Sequence, residues 1–322
     1  MSSELSQIRK RTFGAAMRTM KAPHSMCLSP GAICEEEAIR AHSVQNAMTL
    51  ELLQRSGHVV APRLNLSFAN GPCMAFEKVG RNVVTTFHGL CAKHDAEIFR
   101  PIEKSTLDLT NPEHRFLLSY RAVLKEAHAT AKSARDTQAG YQAGVANGLF
   151  PSEPCEPGML AVEHISLAYM THEHKQRYDS AYLAKTWDAV EHYQRDLGVG
   201  PSVAVNALLS TGRYSSVTDS LAYATLNVFP FNGSTILLAS FLAEHARDFS
   251  RSFKRFFNSG PILEQLSYLI LKRCENFVLS PDHFDSLSEE QRAECLKHFE
   301  RNIGSNKWEP DNLKLINIFT RT

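Results

Sequence analysis

Apolar positions along the chain change their period several times, and the changes mark out elements. Residues 3–20 suit a helix, and the pattern then lapses through 22–37, where Pro23, Pro30 and Gly31 predict a loop. Residues 38–44 read as a short strand. Residues 46–55 read as a helix with Met48, Leu52 and Leu53 on one face, ended by Gly57. Two strands are predicted over 58–62 and 73–79, and 83–87 leads into a helix that begins near His94, with Ile98 and Phe99 in its first turns. Thr110-x-x-Glu113 has the form of a capping box opening a long helix to about Arg135, in which Tyr120, Val123, Leu124 and Ala127 recur at helical spacing.

Glycine and proline then crowd together (Gly140, Gly144, Gly148, Pro151, Pro154, Pro157 and Gly158), which predicts a connection over 137–158 between domains 1–136 and 159–322. The second half reads as mixed α/β. A helix is expected over 178–197, closed by Gly198 and Gly200, and a strand over 202–209. Strands over 223–231 and 235–241 flank Asn232-Gly233, the strongest short hairpin signal in the chain. A helical group follows: 243–257, 262–276, and a helix opened by Ser288-x-x-Gln291 and stopped near Gly304.

Composition narrows the class without naming a function. With 322 residues, 43% hydrophobic and 21% charged, the chain has the make-up of a folded globular protein. A net charge of +1 gives no global footprint for nucleic acid but leaves room for a local basic groove. Arg9, Lys10, Arg11, Arg18 and Lys21 gather near the start, as a phosphate-contacting arm or as a solvated helix face. No segment approaches a membrane span or a leader's apolar core, so no membrane partner and a cytoplasmic location are expected. In a reducing compartment seven cysteines point to metal binding before disulfides, with Cys274 and Cys295 as buried apolar residues of helical patterns.

Two chelating pairs carry the chemistry: Cys27-x6-Cys34 and Cys91-x2-His94. Together they offer Zn²⁺ a closed tetrahedral Cys3His site, which braces a fold and leaves no coordination position for substrate. Asp95 directly follows a ligand at a helix start. Its carboxylate suits Mg²⁺ or another divalent ion, and it equally suits a helix N-terminal acid favoured by the dipole. His42 follows the first pair and, neutral, can take a proton from a water attacking phosphorus, or can serve as a core histidine.

The order of first pair, Ala41-His42-Ser43, hairpin, and Gly89-Leu90-Cys91-x2-His94-Asp95 resembles the zinc-braced treble-clef domain of HNH endonucleases, over residues 25–105. The resemblance implies that His42 is the general base, that Cys91 and His94 belong to the zinc knuckle, and that Asp95 holds a catalytic metal. His94 stands where the family has a second cysteine, and Asp95 where it has histidine. The family's central asparagine has three counterparts, Asn46, Asn65 and Asn82, of which Asn82 is best placed. The gap from His42 to Cys91 is longer than the family's. By analogy a stand-alone nuclease of this design serves in phage defence.

The expected architecture is therefore α+β: an N-terminal zinc-knuckle, treble-clef-like module with helices, then a mixed α/β domain with an antiparallel hairpin and a C-terminal helical group. The leading function is a metal-dependent nuclease with transient nucleic-acid contact and a protein partner at the C-terminal domain. The alternative is a non-catalytic zinc module that binds nucleic acid or protein. His58 opens a strand and either faces the cleft, on phosphate or metal, or caps the helix before it. His88 is a substitute zinc ligand for Cys27, and His172-x-His174 can chelate only from a strand, its rings diverging on a helix.

Overall fold

A computed structural model describes residues 2–31, 33–214, 221–258, 260–300 and 316–319. The expected helix stop near Gly304 lies outside these residues. The fold is mixed α+β, with one large and one small antiparallel sheet. The small sheet pairs β1 (Ala38–His42) with β4 (Thr86–Cys91), with a register irregularity between Ile39 and Ala41. The large sheet has seven strands in the order β3-β2-β9-β6-β7-β8-β5. These are β2 (His58–Ser67), β3 (Gly71–Gly80), β5 (Val190–Asp196), β6 (Val203–Tyr214), β7 (Leu221–Phe231), β8 (Ser234–Leu242) and β9 (Phe277–Leu279).

The helices are α1 (Ser2–Lys21), α2 (Glu51–Leu53, continuing a π-turn at Asn46–Leu50), α3 (Ala92–Glu103), α4 (Pro112–Ala146), α5 (Glu156–Ala184), α6 (Ala246–Asn258), α7 (Ile262–Arg273), α8 (Pro281–Ser286) and α9 (Glu289–Glu300). The large sheet is covered on both faces. On one, Val203, Val205, Leu226, Val228 and Leu237 pack against Leu266, Ile270 and Phe299 of α7 and α9. On the other, Leu208, Tyr223, Phe229 and Leu238 share a core with Phe116, Leu117, Tyr120 and Leu124 of α4 and Tyr178 of α5. That second core runs on into Phe87 and Leu90 of β4 and Ile98 and Phe99 of α3, so α4 joins the two sheets.

Asn232-Gly233 turns the β7–β8 hairpin with φ of 50° and 82°, the left-handed geometry that favours this pair. Ser288 and Gln291 exchange the reciprocal capping bonds expected of them, at 3.1 and 2.9 Å. At α4 the cap is Asn111, not Thr110: its side chain accepts from the Glu113 amide, while Thr110 bonds Asp108. The basic residues Arg9, Lys10 and Arg11 lie exposed on α1, which docks on α4. Arg135 of α4 reaches the carbonyls of Thr19, Ala22 and Pro23 at its end, the favourable place for a cation.

Three expectations need correction. The helix α4 runs through 137–146: a Cβ on Gly144 would strike the Phe150 ring, while one on Gly140 would make only an ordinary contact with Ala16. The connection shrinks to the turn before α5. The division into domains 1–136 and 159–322 also does not describe the fold, since β2 and β3 join the large sheet through Val60 opposite Leu279. The stretch 178–197 is not one helix. Lys185, at φ 54°, ends α5, and 190–196 forms the edge strand β5.

Burial holds three imidazoles neutral: His128 down at about 4, and His174 and His192 at about 3. Each binds its proton more readily in the unfolded chain. Stability is therefore full above about pH 6.5 and falls as pH drops through the window down to about 4. Each group contributes on the order of 1.4 kcal/mol per pH unit there. Urea midpoints should fall between about pH 7 and about pH 5, by less in His174→Phe. A midpoint that stays level over that interval would contradict the assignment.

Candidate metal centre

The loop that carries the first pair is fixed to both strands of the small sheet. The amides of Met26 and Leu28 donate to the carbonyls of His88 and Gly89 at 3.2 and 2.8 Å, and the Ala38 amide donates to Ser25 Oγ at 3.1 Å. Leu28 is buried beneath it, and Gly31 turns the chain at φ 91°. On the other side Cys91 is the N-cap residue of α3 and His94 lies in its first turn. Cys27, Cys34, Cys91 and His94 thereby converge, with one ligand atom from each within 4.8 Å of all the others.

The separations fit one ion. Cys27 Sγ and Cys91 Sγ lie 3.4 and 3.2 Å from His94 Nδ1, and Cys34 Sγ lies 4.0 Å from Cys91 Sγ. A tetrahedral Zn²⁺ with its usual bond lengths has S···N edges of about 3.5 Å and S···S edges of about 3.8 Å. Burial raises the Cys27 thiol, but hydrogen bonds from the Cys91 and Ser29 amides and from the His94 and Ser29 side chains outweigh it and bring it down to about 7. Cys34 accepts an amide bond from Glu36 that favours its thiolate, yet burial and the neighbouring sulfurs of Cys27 and Cys91 leave it raised. Three thiols and an imidazole make a soft donor set suited to zinc.

Behind the cluster, His42 ends β1 and Asp95 lies in the first turn of α3. His42 Nε2 lies 3.0 Å from the carbonyl of Arg81, which can only accept, so Nε2 is the donor of this bond. Burial raises the Asp95 carboxyl, as does the charge of Glu103, while Arg121 and His42 draw it down. The two candidate residues therefore lie in each other's field. Among the described residues the Cys3His set is the one group of three or more ligating side chains.

The other candidates separate. His58 is exposed, its Nδ1 holding the Ser56 carbonyl at 2.8 Å in the turn before β2, so the cleft-facing role does not hold. Asn82 follows Arg81, the partner of His42, and accepts from Asn46 Nδ2 at 3.1 Å. Asn65 bonds Glu77 on the β2–β3 hairpin. Cys27, and not His88, completes the cluster. On α5, His172 is exposed and His174 buried, as divergent helix positions require.

Sequence reasoning missed Arg121. It is 2% exposed, lies 3.9 Å over the Phe99 ring and donates to Glu103 at 2.5 Å. The signal was an arginine inside the apolar run 116–124 of a helix, where a charge must be paired to be tolerated. Its Nε and Nη1 have no protein partner, and the residue borders a cavity of about 20 Å³, room for about one water. No protein family, curated protein or solved structure matches the chain.

Elemental analysis of purified protein should find one zinc per chain, lost in Cys91→Ser and kept in Cys73→Ser, since Cys73 is exposed and remote from the set. Zinc retained at full stoichiometry in Cys91→Ser would refute the centre.

Proposed function

We propose that this chain is a metal-dependent nuclease whose N-terminal part is an HNH-like, treble-clef-like module. The observation that carries the reading is the imidazole of His42: its Nε2 proton is committed to the Arg81 carbonyl, which leaves Nδ1 as a base beside a partly buried carboxylate. The order of parts supports it as well. A ligand-bearing loop, β1, β4 and then α3 with two ligands at its start follow one another as the resemblance requires, and residues 46–80 form the long insertion.

In this reading Zn²⁺ on Cys27, Cys34, Cys91 and His94 braces α3 against the loop. A hard divalent ion such as Mg²⁺, held by Asp95 and by the phosphate itself, supplies charge neutralisation. His42 Nδ1 takes the proton of the attacking water, and the Arg81 carbonyl stabilises the imidazolium that results. Asn82 holds the turn that presents Arg81. A groove of about 600 Å³ beside β4 offers Lys21, Lys125 and Lys132 to a polyanionic substrate, with Asp136, the ion-pair partner of Lys132, in the same lining. Thr86, opposite His42 in the β1–β4 ladder, lines it too. Phage defence is the biological setting consistent with this chemistry, with a protein partner at the C-terminal sheet and helices. The lone carboxylate of Asp95 favours a second reading, a zinc-braced module that binds nucleic acid or protein without cutting.

With Mg²⁺ or Mn²⁺, wild-type protein should cleave at least one of plasmid, single-stranded DNA or RNA. His42→Ala should lose about 10²-fold or more in rate while keeping its zinc, and His58→Ala should stay within about twofold. Full cleavage by His42→Ala would reject the mechanism, and binding without cleavage by wild type would favour the second reading.

A further inference from the structure

The helix α5 changes character along its length. From Thr171 onward it buries His174, Lys175, Tyr178 and Ala181. Over 156–170 only Ala161 is buried, yet this half is the more apolar. Met159, Leu160, Val162, Ile165, Leu167 and Tyr169 are 40–62% exposed. The segment is mostly apolar, with Glu156, Glu163 and His164 as its titratable exceptions, and among the described residues it packs on α4, through His164 and Ser133 at 2.7 Å.

Met159, Val162, Ser166 and Tyr169 recur at 3-4-3 spacing, with Ile165 beside them, which is the seam of a helix pair. The stripe's own side chains are uncharged, and the exposed carboxylates of Glu163 and Glu173 flank it. Its two hydroxyls are already bonded within the helix, Ser166 Oγ to the Val162 carbonyl at 3.0 Å and Tyr169 OH to Glu173 at 2.9 Å. Covering it therefore strands no donor.

We propose that this stripe is a homodimer interface, with α5 packed antiparallel on α5 of a second copy about a two-fold axis near Ile165. The uncharged centre of the stripe meets its own copy with the carboxylates of Glu163 and Glu173 left at the rim, and an isologous contact requires only one such patch. Antiparallel pairing sets Met159 against the partner's Tyr169, a favourable sulfur–aromatic contact. It also sets Val162 against the small Ser166 of the partner's helix. The exposed apolar side chains of the stripe, Met159, Val162, Ile165 and Tyr169, offer on the order of 400 Å² per protomer, about half of the roughly 800 Å² that a stable interface takes from each partner. With α4 behind each α5, the result is a four-helix bundle. No described helix is long and apolar enough to cross a membrane, so the stripe is not part of a helical span among those residues.

Sedimentation of the full zinc-loaded chain tests this. Wild type should be dimeric at about 10 µM, and Val162→Glu should be monomeric there, with the dissociation constant raised by at least about 30-fold. Val162 is more than half exposed in the monomer, so its far-ultraviolet circular dichroism and zinc content should not change. Ile165→Cys should give a disulfide dimer under mild oxidation that wild type does not. Met159→Cys should not, because an antiparallel pair holds its two copies about 15 Å apart. A wild type that is monomeric to about 100 µM, or a Val162→Glu protein that stays dimeric, would overturn the proposal. So would monomeric wild type that floats with neutral phosphatidylcholine vesicles, which would assign the stripe to lipid. Equal crosslinking of Met159→Cys and Ile165→Cys would overturn the antiparallel pairing.

Discussion

The chelate closes over a long stretch of chain: Cys27 and His94 are 67 residues apart, and Cys34 and Cys91 are 57. Closing such loops costs entropy that grows only slowly with their length. Much of that cost is met before any ion binds, because the loop at Met26 and Leu28 is already hydrogen-bonded along β4 and Ser25 is tied to β1. An ion bound there would lock four side chains that the backbone has brought close. Because Cys91 is also the N-cap residue of α3, its sulfur sits at the positive end of the helix dipole. The direction in which α3 leaves the cluster, and so the place of Asp95, follows from that one residue's double duty.

Behind the cluster the core is not purely apolar. Ser119 of α4 bonds Tyr178 of α5 and Thr225 of β7, each at 2.9 Å, and Asn206 bonds Asn227 across β6 and β7 at 2.8 Å. Arg121 lies in the same layer and borders the same narrow cavity as both asparagines. These partners come from α4, α5 and the large sheet together, and they satisfy part of the layer: Arg121 Nε and Nη1, Asn206 Oδ1 and Asn227 Nδ2 have no protein partner. The layer therefore fixes how α4 sits on the sheet. Its other side packs β4 and α3, so the same helix fixes the small sheet as well.

Local signals were legible where local physics decides. Asn232-Gly233 and Ser288-x-x-Gln291 each contain their own partners, so the hairpin and the cap follow from a few residues. The four ligands were legible because zinc restricts donor types and spacing, although the six-residue gap in the first pair is wide. What failed depended on distant neighbours. Gly140 and Gly144 look like breakers in the sequence, but α4 continues through both: Gly144 lies against the Phe150 ring, where a side chain would clash, and Gly140 packs beside Ala16 of α1. In 190–196 the sequence has no clear period of its own, and pairing along β8 makes it a strand. The role of Arg121 was invisible for the same reason: its partners Glu103 and Phe99 come from another helix.

The long gap between His42 and Cys91 has a structural cause that bears on how the candidate base is held. Residues 58–80 leave the small sheet to become the outer hairpin of the large one, where β9 joins them to β6. Just before β9, Asn276 donates to Ser43 Oγ at 2.8 Å and to the Asn206 carbonyl at 2.7 Å. Ser43 in turn bonds the Thr85 carbonyl through both its amide and its hydroxyl. The residue next to His42 is thus clamped between the turn before β4 and a side chain from the far half of the chain. A histidine at the end of a two-stranded ribbon would otherwise fray with it. The C-terminal half is in this sense part of the scaffold of the candidate site, and the module could not be cut out at residue 136 without releasing Ser43 and exposing the buried face of α4.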